Sequence, residues 1–124
     1  MLTKIETDLA PAVLGPYSQA IDTGNLLFVS GQIGIDPKTG ELPESFDVQA
    51  KNAMNNCKAI LEKAGYGFDR VVKATIYLIN MSDFAMINEI YGSYFTQHKP
   101  ARACIEVAAL PKGGKVEIEL IAAK

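Results

Sequence analysis

The segment FDVQAKNAMNNCKAILEKA, residues Phe46–Ala64, carries the clearest structural signal in the chain. Its apolar residues recur at intervals of three and four, with charged and amide side chains between them, as in an amphipathic helix. Ser45 precedes the segment where an N-cap is favoured, and Gly65 follows where a left-handed residue commonly ends a helix. The apolar set is Ala50, Ala53, Met54, Cys57, Ile60, Leu61 and Ala64. The segment therefore predicts a helix that buries one face against a second layer.

Downstream of this helix, the pattern changes to that of a strand and then a second helix. Val71–Ile79 is rich in β-branched residues, which favour a buried strand. Ser82 and Asp83 would open the second helix, and Pro100 lies just past its end. The apolar stripe of the second helix consists of Phe84, Ile87, Ile90, Tyr91, Tyr94 and Phe95.

Short strands separated by turns are predicted at both ends of the chain. Gly- and Pro-containing breaks divide the N-terminal third into short apolar runs, which is typical of an antiparallel meander. The predicted pairs there are Ser18–Ile21 with Leu26–Ser30, and Gln32–Ile35 with Glu41–Leu42. The predicted C-terminal strands are Arg102–Val107 and Val116–Ala122, joined by a turn at Pro111–Gly114. This order argues for one α+β domain over residues 1–124, with both helices on one face of a sheet.

Alternation along the strands predicts which residues share a face of the sheet. Expected beneath the helices are Val72, Ala74, Ile76, Leu78, Ala103, Ile105, Val107, Val116, Ile118 and Leu120. Expected on the second face are Lys73, Thr75, Arg102, Cys104, Glu106, Glu117 and Glu119, together with the apolar Val71, Tyr77, Ile79 and Ile121. A solvated antiparallel face would explain the charges. The apolar residues favour instead a surface that is half buried against another subunit.

Composition excludes several classes of protein. The chain has 124 residues, of which 48% are hydrophobic and 21% charged, so it can fill a core and is not disordered by composition. Its net charge is −2 with no block of Lys or Arg, so a nucleic-acid partner is not expected. Charged residues occupy Met1–Ala10, where a signal peptide needs an apolar stretch, and no apolar run could span a bilayer. We therefore expect a cytosolic protein without a membrane partner, whose two cysteines form no disulfide.

Few residues offer chemistry that needs a metal or a cofactor. One histidine and two distant cysteines give no zinc-type spacing, and Gly31–Gly34 lacks the spacing of a nucleotide-binding loop. We expect no metal and no cofactor, and interpret the glycines as turn or bulge positions. We interpret His98 as a residue that stabilises the C-terminus of the second helix rather than as a catalyst.

The remaining candidates are Arg102, Cys104 and Glu117. Arg102 and Cys104 are two residues apart, hence about 7 Å along one side of a strand. If Glu117 lies on the adjacent strand, an ordinary Arg–Glu ion pair explains both charges. A guanidinium can equally grip a substrate carboxylate with two parallel hydrogen bonds. The pattern by itself leaves both interpretations open.

Several segments, in this order and spacing, resemble the RidA/YjgF/UK114 family over essentially the whole chain. The closest resemblance lies in Pro100–Val107 (PARACIEV), Leu110–Pro111 and Val116–Glu119 (VEIE). Further matches are Ala10–Pro11, Gly15–Ser18 (GPYS), Ser30–Gln32 (SGQ), Asp36–Gly40 (DPKTG) and Asn88–Tyr91 (NEIY). Two departures are small: Ala103 stands where many members have Ser or Thr, and Ala109 replaces a frequent Arg.

The resemblance implies a chorismate-mutase-like α+β fold, with a mostly antiparallel six-stranded sheet, two helices on one face, and a homotrimer with clefts between subunits. It implies hydrolysis of 2-imino acids, such as 2-aminoacrylate and 2-iminobutyrate, to 2-keto acids and ammonia, without a cofactor. Arg102 would bind the substrate carboxylate. Tyr17, Ser30, Gly31 and Asn88 would shape the cleft, and Cys104, through its backbone, and Glu117 would position the attacking water.

Two other functions remain alternatives at this point. Relatives in this family are also described as endoribonucleases or translation inhibitors, although the acidic chain with one histidine argues against efficient RNA cleavage. A non-enzymatic regulator that binds keto acids in the same cleft is the second alternative.

Overall fold

The computed structural model describes all 124 residues. They form a six-stranded sheet and two α-helices, joined by loops and short 3₁₀ turns. The strands are β1 (Thr3–Ile5), β2 (Ala20–Asp22), β3 (Leu26–Ile33), β4 (Val71–Leu78), β5 (Ala101–Glu106) and β6 (Val116–Ala123), and the helices are α1 (Phe46–Lys63) and α2 (Phe84–Tyr94). The strand order is β1-β2-β3-β6-β4-β5. Every neighbouring pair is antiparallel except β4 and β5, which are parallel. The predicted α+β class is confirmed, and the sheet is mixed.

Both predicted helices are present. Helix α1 spans the expected segment, and Gly65 after it has a left-handed φ of 85°. Ser45 occupies the N-cap position, but its side chain makes no capping hydrogen bond. Helix α2 begins at Phe84, because Met81–Asp83 forms a 3₁₀ turn rather than the first helical turn. Buried residues of both helices join one core with the sheet, so the two helices cover the same face.

The N-terminal third differs from its predicted meander in its second half. The first hairpin forms between β2 and β3, but the predicted pair of Gln32–Ile35 with Glu41–Leu42 is wrong. Strand β3 instead runs on to Ile33 and pairs with β6. The following loop is closed by hydrogen bonds from the Asp36 N–H to the Glu41 carbonyl (2.9 Å) and from the Gly40 N–H to the Asp36 carbonyl (2.8 Å). Strand β1 was not predicted, because three residues at a sheet edge leave no periodic pattern.

A register shift in β4 changes which valine enters the core. The pairing of β4 with β6 is irregular between Val71 and Lys73. As a result Val71 is fully buried and Val72 is 45% exposed, the reverse of the predicted arrangement. Both side chains are β-branched and apolar, so alternation could not locate the irregularity.

The prediction of which β5 side chains face the helices was wrong. Arg102 pairs with Ala74 and Cys104 with Ile76, and directly paired residues of neighbouring strands point to the same face. Because Ala74 and Ile76 are fully buried in the core, Arg102 and Cys104, and by alternation Glu106, lie on the helix-covered side. Ala103 and Ile105, predicted in the core, lie on the open face, where Ile105 is 45% exposed. Alternation fixes which residues of β5 share a face but not which face that is, and β5 is an edge strand.

Cys57 lies in the core and Cys104 in β5, and both are free thiols. No group of three or more His, Cys, Asp or Glu side chains is arranged to hold a metal ion. Neither helix combines the length and apolar character that crossing a membrane demands.

Candidate active site

An open pocket of about 550 Å³ lies beside β3 and β6 on the face that the helices leave uncovered. Its lining includes four predicted site residues, Tyr17, Ser30, Gly31 and Glu117. Glu119 and Lys112 also line it. Arg102, Cys104 and Asn88 are not among its residues. One protomer therefore brings only part of the predicted site together.

A bulge in β3 shapes this pocket. Val29 pairs with Leu120 and Gln32 with Ile118, so Ser30 and Gly31 both stand opposite one residue of β6. The expectation of a bulge or turn in this glycine segment is thus confirmed at Gly31. The Ser30 hydroxyl donates a 2.6 Å hydrogen bond to the carbonyl of Ser18, which ties the bulge to the preceding loop.

Gly31 leaves room for the carboxylate of Glu117. A Cβ atom at position 31 would overlap the Glu117 side chain, lying 2.8 Å from its Cδ. The absence of a side chain at Gly31 lets the Glu117 carboxylate lie directly against the bulge.

Glu117 and Glu119 form a pair of carboxylates on this face. They are two residues apart on β6, so their side chains point the same way. The Tyr77 hydroxyl donates a 2.6 Å hydrogen bond to Glu119 Oε1, and this bond is the main reason that the pKa of Tyr77 is raised to about 12. Burial, and then the negative charge of Glu119, raise the pKa of Glu117 above its ordinary value of 4.5. Glu117, unlike Glu119, has no hydrogen-bond or ion-pair partner in the protomer, so its oxygens are free.

Arg102 belongs to a second group of residues, between β5 and α2. Its Cζ lies 5.6 Å from the centre of the Phe84 ring and 5.1 Å from that of Tyr91. The protomer's one salt bridge joins Lys4 and Glu6, so the alternative of an Arg102–Glu117 ion pair is wrong for the protomer. The guanidinium is half-buried without a carboxylate against it.

Asn88 and Cys104 lie with Arg102 on the helix-covered side. The side-chain oxygen of Asn88 is buried without a hydrogen-bond partner, as is the hydroxyl of Tyr91 one turn later. Burial raises the pKa of the Cys104 thiol, and the charge of Arg102 opposes this only in part. The thiol is therefore protonated at neutral pH and is a poor nucleophile.

His98 does not cap α2. Its Nε2 lies 2.5 Å from the carbonyl oxygen of Val71, so it ties the segment after α2 to the start of β4. Lys99, not His98, donates to the Phe95 carbonyl at the helix end, over 3.2 Å. The lone histidine therefore makes a structural contact and does not line the pocket.

Three features of the site were not predicted from the sequence: the Tyr77–Glu119 hydrogen bond, the rings around Arg102, and the division of the site between two faces. The connection of β4 to β5 through a helix was the available signal for the division. A helix commonly connects two strands that pair in parallel. Parallel pairing of β5 with β4, with Arg102 opposite Ala74, would have predicted that the Arg102 side chain lies beneath α2.

Comparison with known proteins places the chain in a family. A family model described as Endoribonuclease L-PSP matches residues 7–124. A RutC family protein of Pyrococcus horikoshii is 53% identical over 122 residues, covering 97% of this chain and 96% of the relative. The 2-iminobutanoate/2-iminopropanoate deaminase of Escherichia coli K12 is 46% identical over 127 residues, covering 100% of this chain and 99% of the relative.

Solved structures agree with the fold. The YjgF gene product of Escherichia coli superposes with a TM-score of 0.95 at 45% identity, covering 98% of each chain. The Escherichia coli protein TdcF, solved with bound serine, superposes with a TM-score of 0.96 at 42% identity, again covering 98% of each chain. Because the family model spans nearly the whole sequence and the relatives match it from end to end, this chain belongs to the RidA/YjgF family, whose model carries the Endoribonuclease L-PSP description.

Proposed function

We propose that the protein is a 2-imino acid deaminase, which hydrolyses 2-aminoacrylate and 2-iminobutyrate to 2-keto acids and ammonia. The observation that carries this proposal is the pair of unpartnered charges, the Arg102 guanidinium and the Glu117 carboxylate. A guanidinium without an acid partner suits a small carboxylate ligand, and a carboxylate with a raised pKa suits proton transfer. Similar proteins named 2-iminobutanoate/2-iminopropanoate deaminase support the reaction, and the serine-bound TdcF supports a ligand of amino-acid size.

We propose that the working form is a homotrimer with its sites between subunits. Arg102 and Glu117 lie on opposite faces of one sheet, so one small molecule cannot reach both in the same protomer. A ring built from head-to-tail contacts joins one surface of each subunit to a different surface of the next. Such a contact can bring Arg102 of one subunit to Glu117 of another. The open face carries the apolar side chains of Phe28 (43% exposed) and Ile105 (45% exposed), which an interface would cover.

The proposed reaction needs orientation more than a strong nucleophile. The enamine 2-aminoacrylate reacts as its imine tautomer, in which a proton has moved from the nitrogen to C3. Arg102 binds the carboxylate with two hydrogen bonds, and a water held over C2 attacks the protonated imine. Glu117 takes a proton from that water as the new C–O bond forms, and returns it to the nitrogen of the resulting carbinolamine. The C–N bond then breaks as Glu117 takes the proton of the new hydroxyl group, so the C–O bond becomes the carbonyl of the keto acid and ammonia leaves. Passing that proton to the departing ammonia or to solvent restores the Glu117 carboxylate. Tyr17, Ser30, Gly31 and Asn88 shape the cleft, and Cys104 contributes its backbone.

RNA cleavage is the rival reaction, since the family model is described as an endoribonuclease. Lys112 is the single cation of the pocket lining, so the protomer presents no basic stripe along which an RNA backbone could bind. The lone histidine, His98, is tied to Val71 and lies outside the pocket. We therefore favour a small carboxylate substrate over RNA.

The test is keto-acid release from imines generated by a dehydratase, timed against spontaneous hydrolysis. Wild type should accelerate release, and Arg102→Ala should lose the acceleration by about 100-fold or more while the assembly persists. Arg70, the chain's other arginine, is exposed and unpaired, so Arg70→Ala is the matched control and should keep wild-type rates. Full activity in Arg102→Ala would refute the anchor. Tight keto-acid binding without turnover in wild type would instead indicate a regulator, and RNA cleavage that one cleft substitution abolishes would indicate a nuclease.

A further inference from the structure

We propose that Phe84 and Tyr91 are positioning residues that hold the Arg102 guanidinium ready for a carboxylate, and so set the affinity of the site for its anion. This inference rests on the proposed function, in which Arg102 binds the substrate carboxylate. It concerns the two rings, which neither touch the reacting atoms nor belong to the predicted site.

The geometry of α2 brings the two rings together. Phe84 and Tyr91 are seven residues apart, which is two helical turns, so they lie on one side of the helix. The Arg102 Cζ lies 5.6 Å from one ring centre and 5.1 Å from the other. Both distances are within the range of about 6 Å over which a cation is attracted to an aromatic face.

The rings hold the guanidinium without occupying its donors. Arg102 makes no salt bridge and no side-chain hydrogen bond in the protomer, so the rings are its identified attractive contacts. A carboxylate in their place would fix the side chain equally well, but it would compete directly with a substrate carboxylate. An aromatic face attracts the cation while leaving the five N–H groups available for a bidentate ligand.

The two rings differ in what their substitution would cost. Phe84 is 38% exposed, so replacing its ring should perturb the fold little. Tyr91 is 7% exposed and its buried hydroxyl has no partner, so its ring, and not its hydroxyl, is the part that can act on Arg102. Phe84 is therefore the position at which an effect on ligand affinity can be separated from an effect on folding.

The experiment compares Phe84→Leu with wild type, using 2-oxobutanoate as an unreactive probe. Leu keeps an apolar side chain but removes the aromatic face. We expect the Kd for 2-oxobutanoate and the KM for the imine to rise about 2- to 5-fold, with kcat unchanged within about twofold. Phe84→Tyr and Tyr91→Phe each keep a ring at the substituted position, and both should bind the probe as wild type does. Met86→Ala, an exposed apolar position on the same helix, is the matched control and should not change Kd or KM.

The outcomes separate this inference from the proposed function. If Arg102→Ala keeps wild-type affinity for 2-oxobutanoate, the proposed carboxylate anchor itself fails. If Arg102→Ala loses affinity while Phe84→Leu keeps it, only the role of the rings is overturned. A fall in kcat without a change in Kd would likewise overturn it, as would failure of Phe84→Tyr to restore the affinity lost in Phe84→Leu. A thermal unfolding midpoint for each variant shows that the compared proteins are folded.

Discussion

Arg102 and Glu117 lie on opposite faces of the same sheet within one protomer. Arg102 pairs with Ala74 of β4, whose side chain is in the helix-covered core, whereas Glu117 pairs with Tyr77, which faces the open side. Parallel pairing of β5 with β4 produces this division, because it aligns Arg102 with a core position of its neighbour. The proposed chemistry needs both groups on one substrate. Because they lie on opposite faces of the sheet in one protomer, the proposed active site requires a second subunit.

Gly31→Ala should reduce activity while the protein stays folded. The new Cβ would overlap the carboxylate of Glu117, which must then move away from the bulge. Keto-acid release above the spontaneous rate should fall about 10-fold or more, since small misplacements of a catalytic group are costly. The control is Gly92→Ala, where an added Cβ has no atom within 4 Å. That variant should keep its activity, and a Gly31→Ala enzyme as active as Gly92→Ala would contradict the arrangement.

The pH dependence of deamination should report the ionisation of Glu117. Its pKa is raised, and the proposed base must be deprotonated, so the enzymatic rate should fall as pH drops through a value above 4.5. Glu117→Gln should lower the rate about 100-fold or more and remove this acidic limb. The measurement is a rate profile corrected at each pH for spontaneous imine hydrolysis. An unchanged acidic limb in Glu117→Gln would assign the ionisation to another group.

The same substitution should change stability in the opposite direction to activity. A folded-state pKa above 4.5 means that the folded protein binds the Glu117 proton more tightly than the unfolded chain does. Ionisation of Glu117 therefore lowers the free energy of unfolding. The loss is absent below about pH 4.5, grows as pH rises toward the raised pKa, and is complete above it. In protomers kept separate by dilution, where no Arg102 of another subunit faces the carboxylate, Glu117→Gln should unfold at a higher temperature than wild type at pH 7, and the difference should disappear at acidic pH. If the difference in unfolding temperature instead grew toward acidic pH, the pKa of Glu117 would not be raised in the folded protein.

Cys104→Ala should retain most of the turnover. Burial raises the pKa of the thiol, so little thiolate is present at neutral pH, and the proposed contribution of this residue comes from its backbone. Keto-acid release by the variant should stay within about threefold of wild type. Loss of all activity in a folded, correctly assembled Cys104→Ala protein would reassign the role to the sulfur.

The sequence predicted the elements well wherever side-chain periodicity carried the information. Helix α1, strand β6 and the β2–β3 hairpin lie close to their expected positions, because a long apolar stripe or a turn between alternating runs marks each of them. The resemblance to the family is confirmed by the family model and by the relatives. It also supplied the pocket residues Tyr17 and Ser30, which periodicity could not have selected.

The sheet faces were predicted less well, for a physical reason that β5 illustrates. Alternation gives two sets of residues in a strand, and the more apolar set, Ala103 and Ile105, was placed in the core. In the structure these residues face the open side, whereas Arg102 lies beneath α2 against Phe84 and Tyr91. An edge strand contributes little to the core, so hydrophobicity decides its face weakly. The face of β5 is determined instead by its parallel pairing with β4, which the alternation of side chains along one strand cannot predict.

The central claim, that each active site combines Arg102 of one subunit with Glu117 of another, can be tested by mixing two inactive variants. Arg102→Ala and Glu117→Gln are co-assembled in equal amounts, with mixed trimers verified by mass spectrometry, and imine hydrolysis is measured. Random mixing leaves about a quarter of the clefts with both groups intact, so the mixture should recover about a quarter of wild-type activity. Mixed trimers that remain as inactive as either parent would show that the two groups do not meet across an interface, and would contradict the account.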